Sequence, residues 1–232
     1  MREALLAPAD HELIEARQVL AWHLWQAGRG AEAKRQLRSR ARAVLSTTCD
    51  VQCAANGVWL RTRVYLDLGW LLLGMEKHEA AAQLVSQNAA QLPQAGSQLR
   101  SAGNDVAVLH AWIRAAAGDH AAASAPLAAS VDHDRASSSL FNELQSLIDL
   151  AYFAEMAGDE VLATRRRDDL RQRAAELRTA RPGLSMDWLR SAKAAPYRWS
   201  HVRLDAQLQW LVKYEPTLLA HHRAKVIRIK SH

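Results

Sequence analysis

Apolar residues recur with the period of an α-helix along most of the chain, in segments separated by short polar or glycine-containing breaks. In the first segment one stripe contains Leu13, Leu20 and Leu24, and a neighbouring stripe contains Ile14, Ala21, Trp22 and Trp25. Two adjacent stripes form a wide apolar surface, which is typical of a helix packed between neighbours on more than one side.

The breaks divide the chain into paired segments, which predict antiparallel helical hairpins. The predicted pairs are 10–27 with 30–46, 53–73 with 76–92, 98–117 with 119–130, 135–157 with 159–180, and 199–214 with 216–227, with a short helix over 185–193. Pro126 lies inside the second arm of the third pair, so we expect it to kink or shorten that helix. Asp132 or Asp134 is expected to cap the start of the fourth pair.

The tips of the predicted hairpins share a motif, in which alanine and glycine are followed by alanine five residues after the glycine. It occurs at Gly28, Gly118 and Gly158, and a weaker copy at Gly74 has its alanine one position late. Glycine adopts the left-handed conformation that ends many helices, because it has no β-carbon to clash. We therefore expect four turns at these glycines, each followed by a helix whose alanine permits close packing.

The motif resembles the tetratricopeptide repeat over about residues 10–180, with glycines 46, 44 and 40 residues apart. The family's period is about 34 residues, and its closing proline is missing from most copies here. The longer arms are similar to degenerate repeats in bacterial signalling proteins and maltose-regulator-type activators. The resemblance implies an all-α, right-handed α-solenoid, with about four hairpins over 1–183 and a basic helical cap over 184–232 that continues the stack. It implies no particular ligand residues.

Composition agrees with an all-α chain, since 44 alanines accompany only 10 glycines and 6 prolines in 232 residues. The most apolar stretch, 58–75, contains Arg61, Arg63 and Asp67, which argues against a membrane span. The apolar run near the N-terminus is too short for a signal peptide. We therefore expect a cytoplasmic protein.

Charge is distributed unevenly. Residues 1–50 have 8 basic and 6 acidic side chains, residues 51–160 have 6 and 12, and residues 161–232 have 16 and 6. This asymmetry indicates a polyanionic partner at the C-terminal end, or contact between unlike ends of two copies.

The basic end contains the candidate binding residues. Arg167, Arg171 and Arg178 share one helical stripe, and Arg198, Arg203 and Lys213 are interleaved with aromatic residues. Three interpretations remain open: nucleic-acid binding through phosphate contacts and stacking, a solvated basic face whose aromatics belong to the core, and an acidic protein partner.

No catalytic constellation is apparent, and we expect neither a cofactor nor a metal ion. Cys49 and Cys53 are spaced for one face of a helix, but a zinc site needs about four ligands and no second pair completes it. The ten histidines include no pair four residues apart. Gly28-Arg29-Gly30 lacks the order of a phosphate-binding loop.

The sequence therefore predicts a non-catalytic scaffold that binds a peptide or protein surface in a helical groove, within a bacterial regulatory or secretion assembly. The alternative is a nucleic-acid-binding regulator that acts through the basic C-terminal third.

Overall fold

The computed structural model describes residues 11–46, 51–89, 97–137, 139–180, 189 and 200–219. Every regular element within these ranges is helical, so the predicted all-α class is confirmed. The helices are α1 (His11–Gln26), α2 (Gly30–Ser46), α3 (Val51–Gly74), α4 (His78–Ala89), α5 (Ser97–Ala116), α6 (His120–Ala136), α7 (Leu140–Met156), α8 (Glu160–Ala180), α9 (His201–Tyr214) and α10 (Pro216–Leu219).

From α1 to α8, each helix packs against the next in the chain, and α3 also packs against α5. Helix α9 departs from this order, because it packs against α7 and α3 as well as against α10. Helix α9 therefore brings distant parts of the chain together.

Three of the four predicted turns lie at the expected glycines. Gly28, Gly118 and Gly158 have φ values of 73°, 88° and 72°. At Gly158 the glycine N–H donates to the Glu155 carbonyl at 3.1 Å, and the next N–H, of Asp159, donates to the Ala154 carbonyl at 3.2 Å. The other two turns repeat this Schellman pattern, which satisfies carbonyl groups at the helix end.

The prediction for Gly74 is wrong. Gly74 is the last residue of α3, and the left-handed residue of this turn is Glu76, with φ 57°. The Glu76 and Lys77 N–H groups make the two Schellman bonds, each at 2.9 Å. This register buries Ala81 completely and leaves Ala80 only partly buried. Packing of α4 therefore determines the position of the turn, in spite of the local preference of glycine.

With Glu76 as the turn residue, the four hairpins share one register. The residues five positions after the turn are Ala33, Ala81, Ala123 and Ala163, and those seven positions before it are Ala21, Gly69, Ala111 and Ala151. The four alanines that follow the turns are at most 1% exposed. At Gly69 an added β-carbon would lie 2.5 Å from Leu109 Cδ2, so a larger residue would require Leu109 to shift or α3 and α5 to move apart.

The residues six positions before each turn are aromatic: Trp22, Trp70, Trp112 and Tyr152. Trp70 and Trp112 have ring centroids 6.5 Å apart, and Trp112 stacks on Tyr152 at 5.5 Å. These aromatic contacts link α3, α5 and α7, and they contribute to the core beyond the area they bury.

The expectation that Pro126 would kink or shorten its helix by residue 130 is wrong about the length, because α6 continues to Ala136. Proline removes the N–H that would bond to the carbonyl four residues earlier, that of Ala122. Arg114 of α5 donates to this carbonyl at 3.4 Å, so it is not left without a partner.

The predicted capping role of Asp132 or Asp134 is also wrong. Both residues lie inside α6, and α7 begins at Leu140 with Ser139 at its N-cap. Several expectations fall outside the described residues, among them Cys49, Arg198, most of 185–193 and residues 220–227. Cys53 lies in α3, but its side chain is also outside them, whereas Leu189 is helical and buried.

Candidate binding pocket

A polar pocket of about 130 Å³ lies where α3, α5, α6, α7 and α9 meet. Its apolar wall consists of Leu66, Trp70 and Val108, and its polar lining consists of Arg63, Asp67, Asn104, Asp105, Asp134, Asn142, Gln145, Ser146, Ser200 and Arg203. One water molecule occupies a volume of about 30 Å³ in liquid water. The pocket is therefore large enough for the end of one side chain, and too small to enclose a peptide.

The pocket is built from equivalent positions of three hairpins. Arg63, Asp105 and Gln145 all line it, and each lies 13 residues before the turn residue of its hairpin, at 76, 118 and 158. Because the hairpins share one register, the same helix face presents these three side chains to one cavity. They differ in chemistry, so the repeated backbone supplies a site with three different polar groups.

One side of the pocket is held by a buried ion pair between α2 and α3. Arg40 Nη1 lies 2.9 Å from Asp67 Oδ2, and both side chains are almost completely buried. Gln18 of α1 donates to the same oxygen at 2.9 Å. Arg63 is exposed and lies 3.7 Å from Asp67 Oδ1, so its guanidinium retains donors that can face the pocket.

The opposite side is held by a network that joins α9 to α7. Arg203 Nη2 and Nε lie 2.6 Å and 2.7 Å from Asp149 Oδ2. Gln207 donates to Asp149 Oδ1 at 2.6 Å and to the main-chain carbonyl of Gln145 at 3.1 Å. Complete burial raises the pKa of Asp149, and the charge and hydrogen bond of Arg203 oppose that shift.

Between these two sides lie the carboxylates of Asp134 and Asp105. Asp134 is 2% exposed, and its Oδ1 accepts a hydrogen bond from Asn104 Nδ2 at 3.0 Å. Burial raises the pKa of Asp134, the Asn104 hydrogen bond opposes this, and the Asp105 charge adds to it. Asp105 reaches solvent at the mouth, yet the surrounding protein partly desolvates it and raises its pKa as well.

Among the basic residues that were singled out from the sequence and that the structure describes, Arg203 alone lines the pocket. Arg171 Nη2 lies 2.6 Å from Glu215 Oε1, and Arg178 Nη2 donates to the carbonyls of Thr217 and Leu218 at 3.4 Å. The Arg167 guanidinium lies 5.7 Å from the centre of the Tyr214 ring, and Lys213 Nζ lies 4.6 Å from the same centre. These four residues thus contact residues 214–218 of the chain itself, whereas Arg203 pairs with Asp149 of α7.

A further buried carboxylate, that of Glu143, links three helices outside the pocket. Its side chain is completely buried. It accepts two hydrogen bonds from Arg173 of α8, at 2.8 Å and 2.9 Å, and one from Arg135 of α6, at 2.9 Å. Burial alone would raise its pKa, but the hydrogen bonds from Arg173 and Arg135 outweigh it and hold the pKa below the ordinary value.

Sequence reasoning did not identify the pocket acids. A signal was present for two of the buried carboxylates, because Asp67 and Asp149 each stand between leucine, isoleucine or aromatic neighbours on a strongly apolar helix. An acid that is buried in such a position requires a partner, because an unpaired buried charge is costly. Asp105 and Asp134 carried no such signal, since each follows a polar residue, Asn104 and His133 respectively.

Comparisons with protein-family models, curated proteins and solved structures found no match for this chain. Among the residues that the structure describes, no group of three or more His, Cys, Asp or Glu side chains is placed to bind a metal ion. None of the described helices has both the length and the apolar character needed to cross a bilayer.

Proposed function

We propose that the protein is a non-catalytic scaffold that binds an extended segment of a partner protein across the face formed by α3, α5 and α7. The observation that supports this most directly is the repeated position of Arg63, Asp105 and Gln145 on three successive hairpins. A surface repeated along a stack can contact successive residues of a bound chain, which is the usual advantage of helical-repeat proteins.

The proposal includes the architecture expected from the sequence, a right-handed, tetratricopeptide-like α-solenoid. The shared register of the four turns, the small residues on both sides of them and the consecutive packing of α1 to α8 all support it. Each hairpin exposes an apolar face that its neighbour covers, as in other helical repeats.

The chemistry of the pocket suits a peptide. Asn104, Asn142 and Gln145 have amide side chains that both donate and accept hydrogen bonds, as a peptide backbone requires. Trp70 gives the pocket an apolar wall for the stem of a side chain. The volume fits one side-chain end, so the remainder of the partner lies along the surface outside.

We place this activity within a bacterial regulatory or secretion assembly on the strength of the resemblance, and in the cytoplasm, as the composition of the sequence led us to expect. The rival hypothesis, nucleic-acid binding through the basic C-terminal third, gains no support from the described residues. Arg171, Arg178 and Arg203 make contacts within the chain, which reduces the charge available to phosphate groups.

The test is selection of a phage-displayed library of random 12-residue peptides on the full-length protein at about 0.15 M salt, with gel shifts of duplex and single-stranded DNA and RNA run in parallel. We expect enriched peptides that bind wild type and lose affinity for the double variant Arg63→Ala, Asn142→Ala. Both side chains are exposed at the pocket. Arg165→Ala, which removes an exposed arginine on α8, is the control and should bind as wild type does.

Failure to enrich any peptide, or selected peptides that bind the double variant as tightly as wild type, would overturn the proposal. Tight binding of nucleic acid that weakens steeply with salt would support the rival instead.

A further inference from the structure

We propose that the pocket binds a guanidinium or ammonium group, supplied by an arginine or lysine side chain of the bound segment. The inference rests on the proposed function and adds the chemical class of the residue that is recognised. It depends on one buried oxygen atom that has no hydrogen-bond partner among the residues that the structure describes.

That atom is Oδ2 of Asp134. The side chain is 2% exposed and lines the pocket, and its other oxygen is bonded to Asn104. Oδ2 has no hydrogen-bond partner among the described residues. A buried carboxylate oxygen without a donor is costly, so native structures seldom retain one without a water, an ion or a ligand to satisfy it.

Asp105 supplies a second carboxylate to the same cavity. Both acids line this cavity, and the Asp105 charge is a minor contribution to the raised pKa of Asp134. Two neighbouring carboxylates favour a cation between them, because the cation relieves their mutual repulsion.

The cations already present at the pocket are largely committed to other acids. Arg203 pairs with Asp149, and Arg40 pairs with Asp67. Arg63 is nearest to Asp67, although its charge also acts on Asp105. His133, the neighbour of Asp134 on α6, and Arg203 add weaker positive contributions at Asp134. None of these side chains donates a hydrogen bond to Oδ2 within the described ranges.

Size and donor geometry favour an organic cation. A cavity of about 130 Å³ accepts the head of a lysine or arginine side chain, and Trp70 borders it with an aromatic surface. Guanidinium and ammonium groups carry only donors, which matches a lining of carboxylate and amide oxygens. The net acidity of residues 51–160, with 12 acidic against 6 basic side chains, favours a basic partner segment over an acidic one.

The first experiment uses methylguanidinium and n-butylammonium as probes, titrated at constant ionic strength and followed through the indole N–H signals in ¹H–¹⁵N NMR spectra. We expect saturable binding, with the Trp70 signal shifted. Asp134→Asn should weaken it by roughly tenfold or more, the loss of one charge-assisted hydrogen bond. Asp132→Asn, the same charge change at an exposed site on α6, is the matched control and should bind as wild type does.

The second experiment uses the peptides selected by phage display, with each arginine replaced by citrulline and each lysine by norleucine. We expect one basic position of the peptide to be indispensable for binding to wild type. Replacing that residue should not weaken binding to the Asp134→Asn variant any further. If peptides bind but tolerate every such replacement, the cation inference is wrong while the scaffold function stands.

If no peptide is selected and the probes still bind through Asp134, the scaffold function fails and the cation comes from a free small molecule. If the probes shift no signal, or bind Asp134→Asn and wild type equally, the pocket is not a cation site.

Discussion

Arg203 of α9 and Asp149 of α7 form an ion pair between two buried side chains, with Nη2 2.6 Å from Oδ2. The pair joins residues 54 positions apart in the chain and holds α9 against α7 beside the pocket. Charges taken out of water are tolerated only when they are paired and further hydrogen-bonded, and Gln207 supplies the additional bond.

Arg203→Ala should reduce the free energy of unfolding by about 3–5 kcal/mol, because it leaves the Asp149 carboxylate buried without its cation. Urea unfolding of the full chain would measure it. Arg165→Ala on the exposed surface of α8 is the control and should change stability by no more than about 0.5 kcal/mol. A loss below about 1 kcal/mol for Arg203→Ala would contradict the role given to this pair.

Gly158→Val should destabilise the protein by more than about 1 kcal/mol, since φ is 72° and a left-handed conformation strains residues with a β-carbon. Nothing lies within 4 Å of the added β-carbon, so backbone strain is the main cause. Gly158→Asn should reduce the free energy of unfolding by a smaller amount, because asparagine tolerates the left-handed conformation better than valine does. Equal stability of the valine variant and wild type in urea would show that this hairpin does not require a glycine at its turn.

Gly69→Ala should destabilise by about 1–3 kcal/mol, because its β-carbon would lie 2.5 Å from the buried Leu109 side chain. Leu109→Val shortens the opposing side chain and should recover part of this loss in the double variant. A double-mutant cycle measures the coupling. Strictly additive losses would show that the two residues do not limit the approach of α3 and α5.

Stability should fall with acid in the range controlled by Glu143. Its pKa in the folded protein is lower than the ordinary value of 4.5, so its contribution is fully present above that pH and is lost as pH falls through the folded pKa. Glu143→Gln should be less stable than wild type at neutral pH and show a flatter decline below pH 4.5. The measurement is the free energy of unfolding in urea at several pH values. If it declines equally steeply with acid in wild type and in Glu143→Gln, the prediction is contradicted.

Asp134 should give the stability of the protein the opposite dependence on pH. Its folded pKa is raised above the ordinary value of 3.8, so the folded state retains the proton more strongly and stability falls as pH rises above 3.8. Asp134→Asn preserves the acceptor for Asn104 and removes the charge. It should therefore unfold at a higher temperature than wild type at pH 7, in the absence of any ligand. A lower unfolding temperature would assign Asp134 a stabilising role instead.

Local preferences explain what the sequence predicted well. Helical periodicity located the helices, and glycine without a β-carbon located the turns at Gly28, Gly118 and Gly158. Such features depend on residues a few positions apart, so they can be recognised without knowledge of the rest of the fold. The predictions failed where a neighbouring helix decided the outcome, as at Gly74 and Pro126.

Contacts between distant residues decided the candidate site. Nothing local shows that Arg203 pairs with Asp149, that Arg171 pairs with Glu215, or that Asp134 Oδ2 has no hydrogen-bond partner within the described part of the chain. The sequence by itself determined the helical class and most turns, because backbone conformation depends on nearby side chains. Only the tertiary structure decided which charges are paired and which face the pocket, because those energies depend on burial and distance.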